Sequence, residues 1–85
     1  MTDREYEILD ALYFTISFET LQNDLEAKEE EELIDEIIAL HKKDWIKCLE
    51  KISEKEVDSE EEIKKNYKKY NFLASKKGLL AHNSR

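Results

Sequence analysis

Apolar residues recur at helical spacing through the first part of the chain. Thr2 and Glu5 match the capping-box pattern of a helix N-terminus, and the apolar residues behind them predict an amphipathic helix that ends between Phe14 and Ile16. Ser17 is a typical N-cap, which predicts a second helix of about two turns. The apolar positions of these two helices are Tyr6, Leu9, Leu12, Tyr13, Ile16, Phe18, Leu21 and Leu25.

The segment from Lys28 to Lys43 carries the clearest helical pattern in the sequence. Acidic residues crowd its first turns and two lysines end it, an order of charge that matches the helix dipole. We therefore predict a third helix over residues 28–43. Its apolar side consists of Leu33, Ile34, Ile37, Ile38 and Leu40, with His41 on the flank.

Beyond Asp44 the pattern changes from helical spacing to alternation. Residues 45–49 alternate imperfectly, with Ile46 and Cys48 on one side and larger apolar residues on the other. This pattern predicts a short strand that is buried on both faces. Residues 50–57 are mostly polar, which predicts a loop or a hairpin arm.

A second capping box opens the last third of the chain. Ser59 and Glu62 form it, and Ile63, Tyr67 and Tyr70 follow at helical spacing, so we predict a fourth helix of about three turns. The next segments predict a return strand over 71–74, a short helical turn capped by Ser75 that runs through Gly78 to Leu80, and a frayed end over 82–85.

Composition favours one α-rich domain. A chain of 85 residues has room for one modest core, so we expect a single domain over 1–85. One glycine and no proline are too few turn residues for a many-stranded β fold, and eight aromatic residues are too many for a disordered acidic tail. The expected fold is mainly α with a small β-hairpin.

The order of the predicted elements resembles a winged-helix domain. Three helices with a short second one are followed by two strands, and the return strand Phe72-Leu73-Ala74-Ser75-Lys76-Lys77-Gly78 is similar to that of bacterial winged-helix regulators. The resemblance implies a three-helix core with a wing. The sequence departs from the family by an extra helix inserted between the wing strands. Residues 70–83, near the end of the sequence, are also similar to small acidic bacterial proteins, and this similarity implies no function.

Charge is distributed unevenly along the chain. Residues 1–36 hold thirteen acidic and two basic side chains, a net of −11, whereas residues 37–85 hold eight acidic and twelve basic, a net of +4. This split favours either a merely solvated surface or docking onto another protein or a second copy of the chain. The candidate interaction residues are Glu29, Glu30, Glu32, Asp35, Glu36 and Trp45.

In a winged-helix domain the third helix enters the DNA major groove. Here that helix would present six carboxylates over residues 29–36, and each one held about 7 Å from a phosphate costs roughly 0.6 kcal/mol even in water. We therefore expect a non-enzymatic protein-interaction module that docks on another protein or on a second copy of itself and does not bind DNA through this helix.

The alternative hypothesis is nucleic-acid binding through a basic helix and wing. Lysines interleave with tyrosines in the predicted fourth helix, as in surfaces that bind single strands. The plainer interpretation is a solvated face in which Glu60 pairs with Lys64 and Glu61 with Lys65, which leaves two lysines unpaired. The candidate nucleic-acid residues are Lys64, Lys65, Lys68, Lys69, Tyr67, Lys76 and Lys77, and Arg85 can join them.

The sequence carries no pattern of a catalytic, cofactor or metal site. His41 and His82 lack the spacing of zinc ligands, and Cys48 has the position of a small core residue. With one glycine there is no phosphate-binding loop. The sequence also shows no basic leader, no apolar stretch that could span a membrane and no cysteine pair. We therefore expect a cytoplasmic protein that is not an enzyme, binds no cofactor or metal and does not associate with membranes.

Overall fold

The computed structural model describes residues 1–84 and has five α-helices and a small antiparallel sheet in that range. A turn of 3₁₀-helix precedes the last strand. In chain order the elements are α1 (Asp3–Ala11), β1 (Ile16–Ser17), α2 (Phe18–Asp24), α3 (Glu30–Lys42), β2 (Ile46–Glu50), α4 (Glu60–Asn66), the 3₁₀ turn (Tyr67–Lys69), β3 (Tyr70–Ala74) and α5 (Lys76–Asn83). The prediction of a mainly α fold with a small sheet is confirmed.

The sheet has three strands in the order β1-β3-β2, so the predicted two-stranded hairpin is incomplete. Phe72 in the central strand lies opposite Ile16 on one side and Cys48 on the other. Strand β1 was not predicted because two residues are too short to show alternation. At the outer side of β2, Leu49 forms a bridge with Glu56, and the Val57 N–H donates to the Cys48 carbonyl.

The core lies between the sheet and the three N-terminal helices. Phe18 and Phe72 are the largest fully buried side chains, and α4 adds Ile63 to the same cluster. Burial of this apolar surface is the main stabilising contribution. The buried apolar residues are Ile8, Leu9, Leu12, Phe18, Leu21, Leu33, Ile34, Ile37, Leu40, Ile46, Cys48, Ile63, Phe72 and Ala74.

The predicted helix starts agree with the structure more closely than the predicted ends. Thr2 accepts from the Glu5 N–H while the Glu5 carboxylate accepts from the Thr2 N–H, which completes the predicted capping box. At Ser59 the hydroxyl accepts from the Glu62 N–H, but the Glu62 carboxylate accepts from Asn66 and Tyr70 instead. That second capping box is therefore only half formed.

Two helices end in left-handed residues that are not glycine. Glu26 after α2 and Asp44 after α3 have φ of 53° and 63°. In each case the next two amides, such as the Asp44 and Trp45 N–H groups after α3, donate to carbonyls of the last turn. A non-glycine residue in this conformation costs about 1 kcal/mol or more. The third helix was predicted over residues 28–43, and α3 begins two residues later and ends one residue earlier.

Three local predictions were wrong. Helix α1 ends at Ala11, before the Phe14–Ile16 stretch, because the chain turns there to enter β1. Strand β2 is buried on one face only, since Ile46 and Cys48 are buried whereas Lys47 is exposed. Helix α4 is shorter than predicted, because Tyr70, the last tyrosine of the predicted helix, lies in β3.

The C-terminal helix is longer than predicted and is held in place at its first turn. Ser75 caps α5 by accepting from the Gly78 N–H, and its hydroxyl donates to the Asp44 carbonyl at 2.5 Å. The Ser75 N–H donates to the Trp45 carbonyl at 2.8 Å. Instead of fraying, α5 continues to Asn83 and buries His82; Arg85, which was also expected to fray, lies outside the described residues. No helix within residues 1–84 is long and apolar enough to cross a membrane.

We predict that Gly78→Ala destabilises the fold. Alanine normally stabilises a helix by about 1 kcal/mol relative to glycine, but a Cβ at this position would collide with the Trp45 carbonyl. We expect the free energy of unfolding to fall by about 1–3 kcal/mol in urea titrations. The neighbouring Lys77→Ala on the exposed side is the control and should change it little; an unchanged or higher stability of Gly78→Ala would contradict the close packing.

We predict that Glu5→Gln weakens the fold in a pH-dependent way. The ion pair with Lys43 at 2.6 Å, together with the Thr2 N–H, holds the pKa of Glu5 below its usual range. A lowered native pKa contributes stability above the unfolded pKa of about 4.3 and loses it as the pH falls through the native value. At pH 7 we expect a loss of about 1 kcal/mol or less, which shrinks below pH 4; Glu7→Gln, in a longer and more exposed contact with Arg4, serves as control.

Candidate functional site

Helix α4 packs along α3 and brings the basic and acidic candidate residues together. Ile63 is fully buried on the inner side of α4. Beside it, Lys64 Nζ lies 3.1 Å from Asp35 Oδ1, and Lys42 Nζ lies 3.5 Å from Glu60 Oε2. The two candidate surfaces therefore contact each other within one chain.

The same contact continues at the 3₁₀ turn. Lys68 Nζ lies 2.9 Å from Glu30 Oε1, and the Tyr67 hydroxyl donates to Glu30 Oε2 at 3.2 Å. The Lys68 ammonium lowers the pKa of Glu30, and the carboxylate in turn raises the pKa of Lys68. Desolvation, followed by the charge of Glu30, raises the pKa of Tyr67, whose ring packs 4.4 Å from that of Phe18.

These contacts correct the predicted pairing of charges. Glu60 was expected to pair with Lys64 within α4, but each pairs with a residue of α3 instead. No ion pair between Glu61 and Lys65 occurs among the described residues. Lys68, which was expected to be unpaired, binds Glu30. Pairing between elements therefore replaces pairing within the helix.

The acidic candidates are thus only partly available to a partner. Glu29 and Glu32 are exposed, whereas Glu30 and Asp35 bind lysines of the C-terminal half. Glu36 is half-buried and accepts from Arg4 Nε at 3.1 Å, a contact that ties α3 to α1.

Trp45, the last interaction candidate, is half-buried against the core. Lys43 Nζ lies 4.8 Å from the centre of its ring, a cation–π contact. Its carbonyl accepts from the Ser75 N–H. The indole is therefore partly taken up by packing on the core, and the Trp45 backbone carbonyl holds the start of α5.

The nucleic-acid candidates fall on three separate elements, namely α4, the 3₁₀ turn and α5. Lys65 and Lys69 are exposed on either side of Tyr67 in the chain. The Tyr70 hydroxyl, at the start of β3, donates to Glu62 at 2.8 Å, which raises the pKa of Tyr70 to about 12. Lys76 and Lys77 are exposed at the start of α5. The structure therefore does not join all the candidate lysines into one helical row.

Within residues 1–84, the nucleophilic and metal-ligating side chains are not arranged as a reactive site. Cys48 is buried, and its desolvation raises the pKa of the thiol to about 12, so the thiolate is scarce at neutral pH. Among residues 1–84 no group of three or more His, Cys, Asp or Glu side chains is placed to hold a metal ion. The cleft of about 460 Å³ between α1 and the end of α2 is lined by Glu7, Asp10, Ala11, Asp24, Leu25 and Glu26.

Among residues 1–84, His82 is the one buried side chain with several polar neighbours that the sequence did not indicate. Its ring stacks on Tyr6 at 4.1 Å, and Nδ1 lies 3.2 Å from the Tyr13 hydroxyl. Nε2 lies 3.2 Å from Asp10 Oδ1 but without the alignment of a hydrogen bond. This cluster joins α5 to α1 and accounts for the ordered end of α5.

Three apolar side chains are exposed at the end where α1 and α5 are joined: Tyr13 and Phe14 in the turn after α1, and Leu80 in α5. We call these three residues the α1–α5 surface. Their side chains are 42%, 79% and 61% exposed. The Tyr13 hydroxyl donates to Asn83 Oδ1 at 2.6 Å, and Leu80 lies one turn before Asn83 on the same side of α5. Leu80 was not among the candidates predicted from the sequence. The residues three and four positions before and after it are all polar, and this pattern could have indicated that Leu80 is exposed.

Comparison with protein-family models, with curated proteins and with solved structures gives no match to this chain.

We predict a measurable coupling between Lys64 and Asp35. Lys64→Glu and Asp35→Lys each place like charges together, whereas the double variant restores an opposite pair in reverse. Because both side chains are more than half exposed, we expect a coupling energy of about 0.2–1 kcal/mol in urea unfolding. It should shrink in 1 M NaCl, where charges are screened within about 3 Å; a coupling of zero at low salt would contradict the prediction and mean that this ion pair does not stabilise the contact between α4 and α3.

Proposed function

We propose that the chain is a non-enzymatic protein-interaction module with a winged-helix-like fold, acting in the cytoplasm. The order of three helices, with α2 shorter than α1 or α3, followed by the antiparallel strands β2 and β3 supports the resemblance. Helix α4, between those two strands, is the insertion that departs from it. The fold likeness alone carries no partner.

The observation that carries the proposal is the α1–α5 surface. Fourteen apolar residues among the described ones form the buried core, whereas Phe14 and Leu80 lie outside it and are exposed. Exposed aromatic and leucine side chains on adjoining elements are typical of interfaces. We therefore propose this surface, rather than the acidic face of α3, as the main docking site.

The acidic face of α3 has less support as the docking site. Glu30 and Asp35 already bind lysines, and Glu36 binds Arg4. A partner would have to replace these ion pairs before it gained new ones. Glu29, Glu31 and Glu32 remain at the exposed rim, where they can steer a basic partner without providing most of the affinity.

Nucleic-acid binding through the lysines stays the weaker alternative. Lys64 and Lys68 are paired with carboxylates, so binding a phosphate would release an existing ion pair. The acidic residues of α3 lie directly beside them, and each repels a polyanion. No observation of the geometry favours this function over protein docking.

The proposal predicts where a partner touches the chain. A photoreactive residue such as p-benzoylphenylalanine at position 14 or 80 should form a protein adduct in the native cell. The control position 52 carries an isoleucine that is 99% exposed but lies in the loop after β2, away from this surface, and should give several-fold less adduct. Adducts at position 32 but not at 14 or 80 would move the site to α3, and crosslinks to nucleic acid alone would favour the alternative.

A further inference from the structure

The outward side of α5 is centred on a single leucine. The helix advances 100° per residue, so residues 76, 77, 80, 83 and 84 share one side. All five are exposed, whereas Gly78 and His82 on the opposite side are buried. Leu80 lies at the middle of this side, four residues from each end. When two copies of such a side pack antiparallel, the central apolar residues meet each other, and the polar residues around them meet polar residues.

We propose that a second copy of this chain covers the α1–α5 surface, with the two α5 helices antiparallel across a two-fold axis at Leu80. This inference rests on the proposed interaction function and names the partner. In such a pair residue i contacts j while j contacts i, so Leu80 meets Leu80 of the second copy. Residues 76 and 77 then lie beside residues 84 and 83 of the other chain.

The charges of α5 favour this antiparallel arrangement. Its first turn carries Lys76 and Lys77 and no acidic residue, so both ammonium groups lie at the positive end of their own helix dipole. Across the two-fold axis the same lysines face the C-terminal end of α5 in the second copy, where the helix dipole is negative and residues 83 and 84 are uncharged, while Arg85 follows them in the sequence. A parallel pair would instead bring four lysines together.

The aromatic part of the surface lies where these lysines arrive. Tyr13 is fixed beside the end of α5 by its hydrogen bond to Asn83, and Phe14 follows it in the chain. Since Lys76 and Asn83 are on the same side of Leu80, the two-fold axis brings Lys76 toward Asn83 and Tyr13 of the second copy. An ammonium group over an exposed ring adds a favourable cation–π contact.

The expected dimer is weak and reversible. Helix α5 has eight residues and is about 12 Å long, whereas a standard stable interface buries about 800 Å² on each partner. Three apolar side chains and two lysines cover less than that. We therefore expect a dissociation constant between about 1 μM and about 1 mM.

Sedimentation velocity or light scattering from 10 μM to 1 mM tests the proposal. The wild-type protein should shift from monomer toward dimer, and Leu80→Glu should remain monomeric at every concentration. Ile52→Glu makes the same change at an exposed position outside the surface and should dimerise like the wild type. Circular dichroism melts check that both variants fold. A wild type that is monomeric at 1 mM, or a Leu80→Glu variant that dimerises as well as the wild type, overturns the inference.

A symmetric disulfide tests the arrangement of the helices. Leu80→Cys places a thiol next to its own copy on the axis and should give a covalent dimer under mild oxidation, several-fold faster than Ile52→Cys. Cys48 is buried and does not compete. Equal rates for the two variants would exclude the antiparallel pair.

The failures of the two proposals are distinguishable. If the wild type is monomeric at 1 mM while photocrosslinking at position 80 yields an adduct with a different protein, the second copy is excluded and the interaction function stands. If neither a dimer nor an adduct forms, both proposals fall.

Discussion

The ion pairs between α3 and α4 determine which parts of this highly charged chain are available to other molecules. Taken along the sequence, residues 1–36 and 37–85 have opposite net charges. In space, Lys64 and Lys68 lie against Asp35 and Glu30, so part of that difference is neutralised within the molecule. Each such contact contributes little stability at the surface. Together they reduce both the acidic and the basic surfaces that the sequence offers, and the exposed apolar residues gain in relative importance.

Local signals in the sequence predicted the helix starts because the interactions that begin a helix are themselves local. Ser17, Ser59 and Ser75 each accept from an amide three residues later, so four consecutive residues contain the whole signal. Helix ends were less predictable. Glu26 and Asp44 adopt the left-handed conformation that normally identifies glycine, and nothing in their residue type announces it. Strand β1 exists through its pairing with β3, more than fifty residues away, and no local pattern reports that.

The candidate site, too, could be predicted from the sequence only in part. The individual residues could be found from the sequence, because lysines and glutamates at helical spacing are visible without coordinates. Which lysine meets which carboxylate depends on how α4 packs, and that is set by the burial of Ile63. Likewise, the eight aromatic residues are visible in the sequence, but only the structure separates the exposed Phe14 from the buried Phe18 and Phe72. His82, at a position expected to fray, is buried because Tyr6 of α1 and Tyr13, in the turn that follows α1, enclose it.

The short segment that covers the outer side of β2 has a consequence for solubility at high concentration. A free sheet edge can recruit strands from other molecules and start aggregation. Here the Glu50 and Val57 amides and their partners at Lys55 and Cys48 close that edge with the chain's own backbone. The opposite edge, β1, has only two residues, too few to template an intermolecular strand of ordinary length. The sheet is therefore protected against edge-to-edge polymerisation without the prolines that many β proteins use for this purpose.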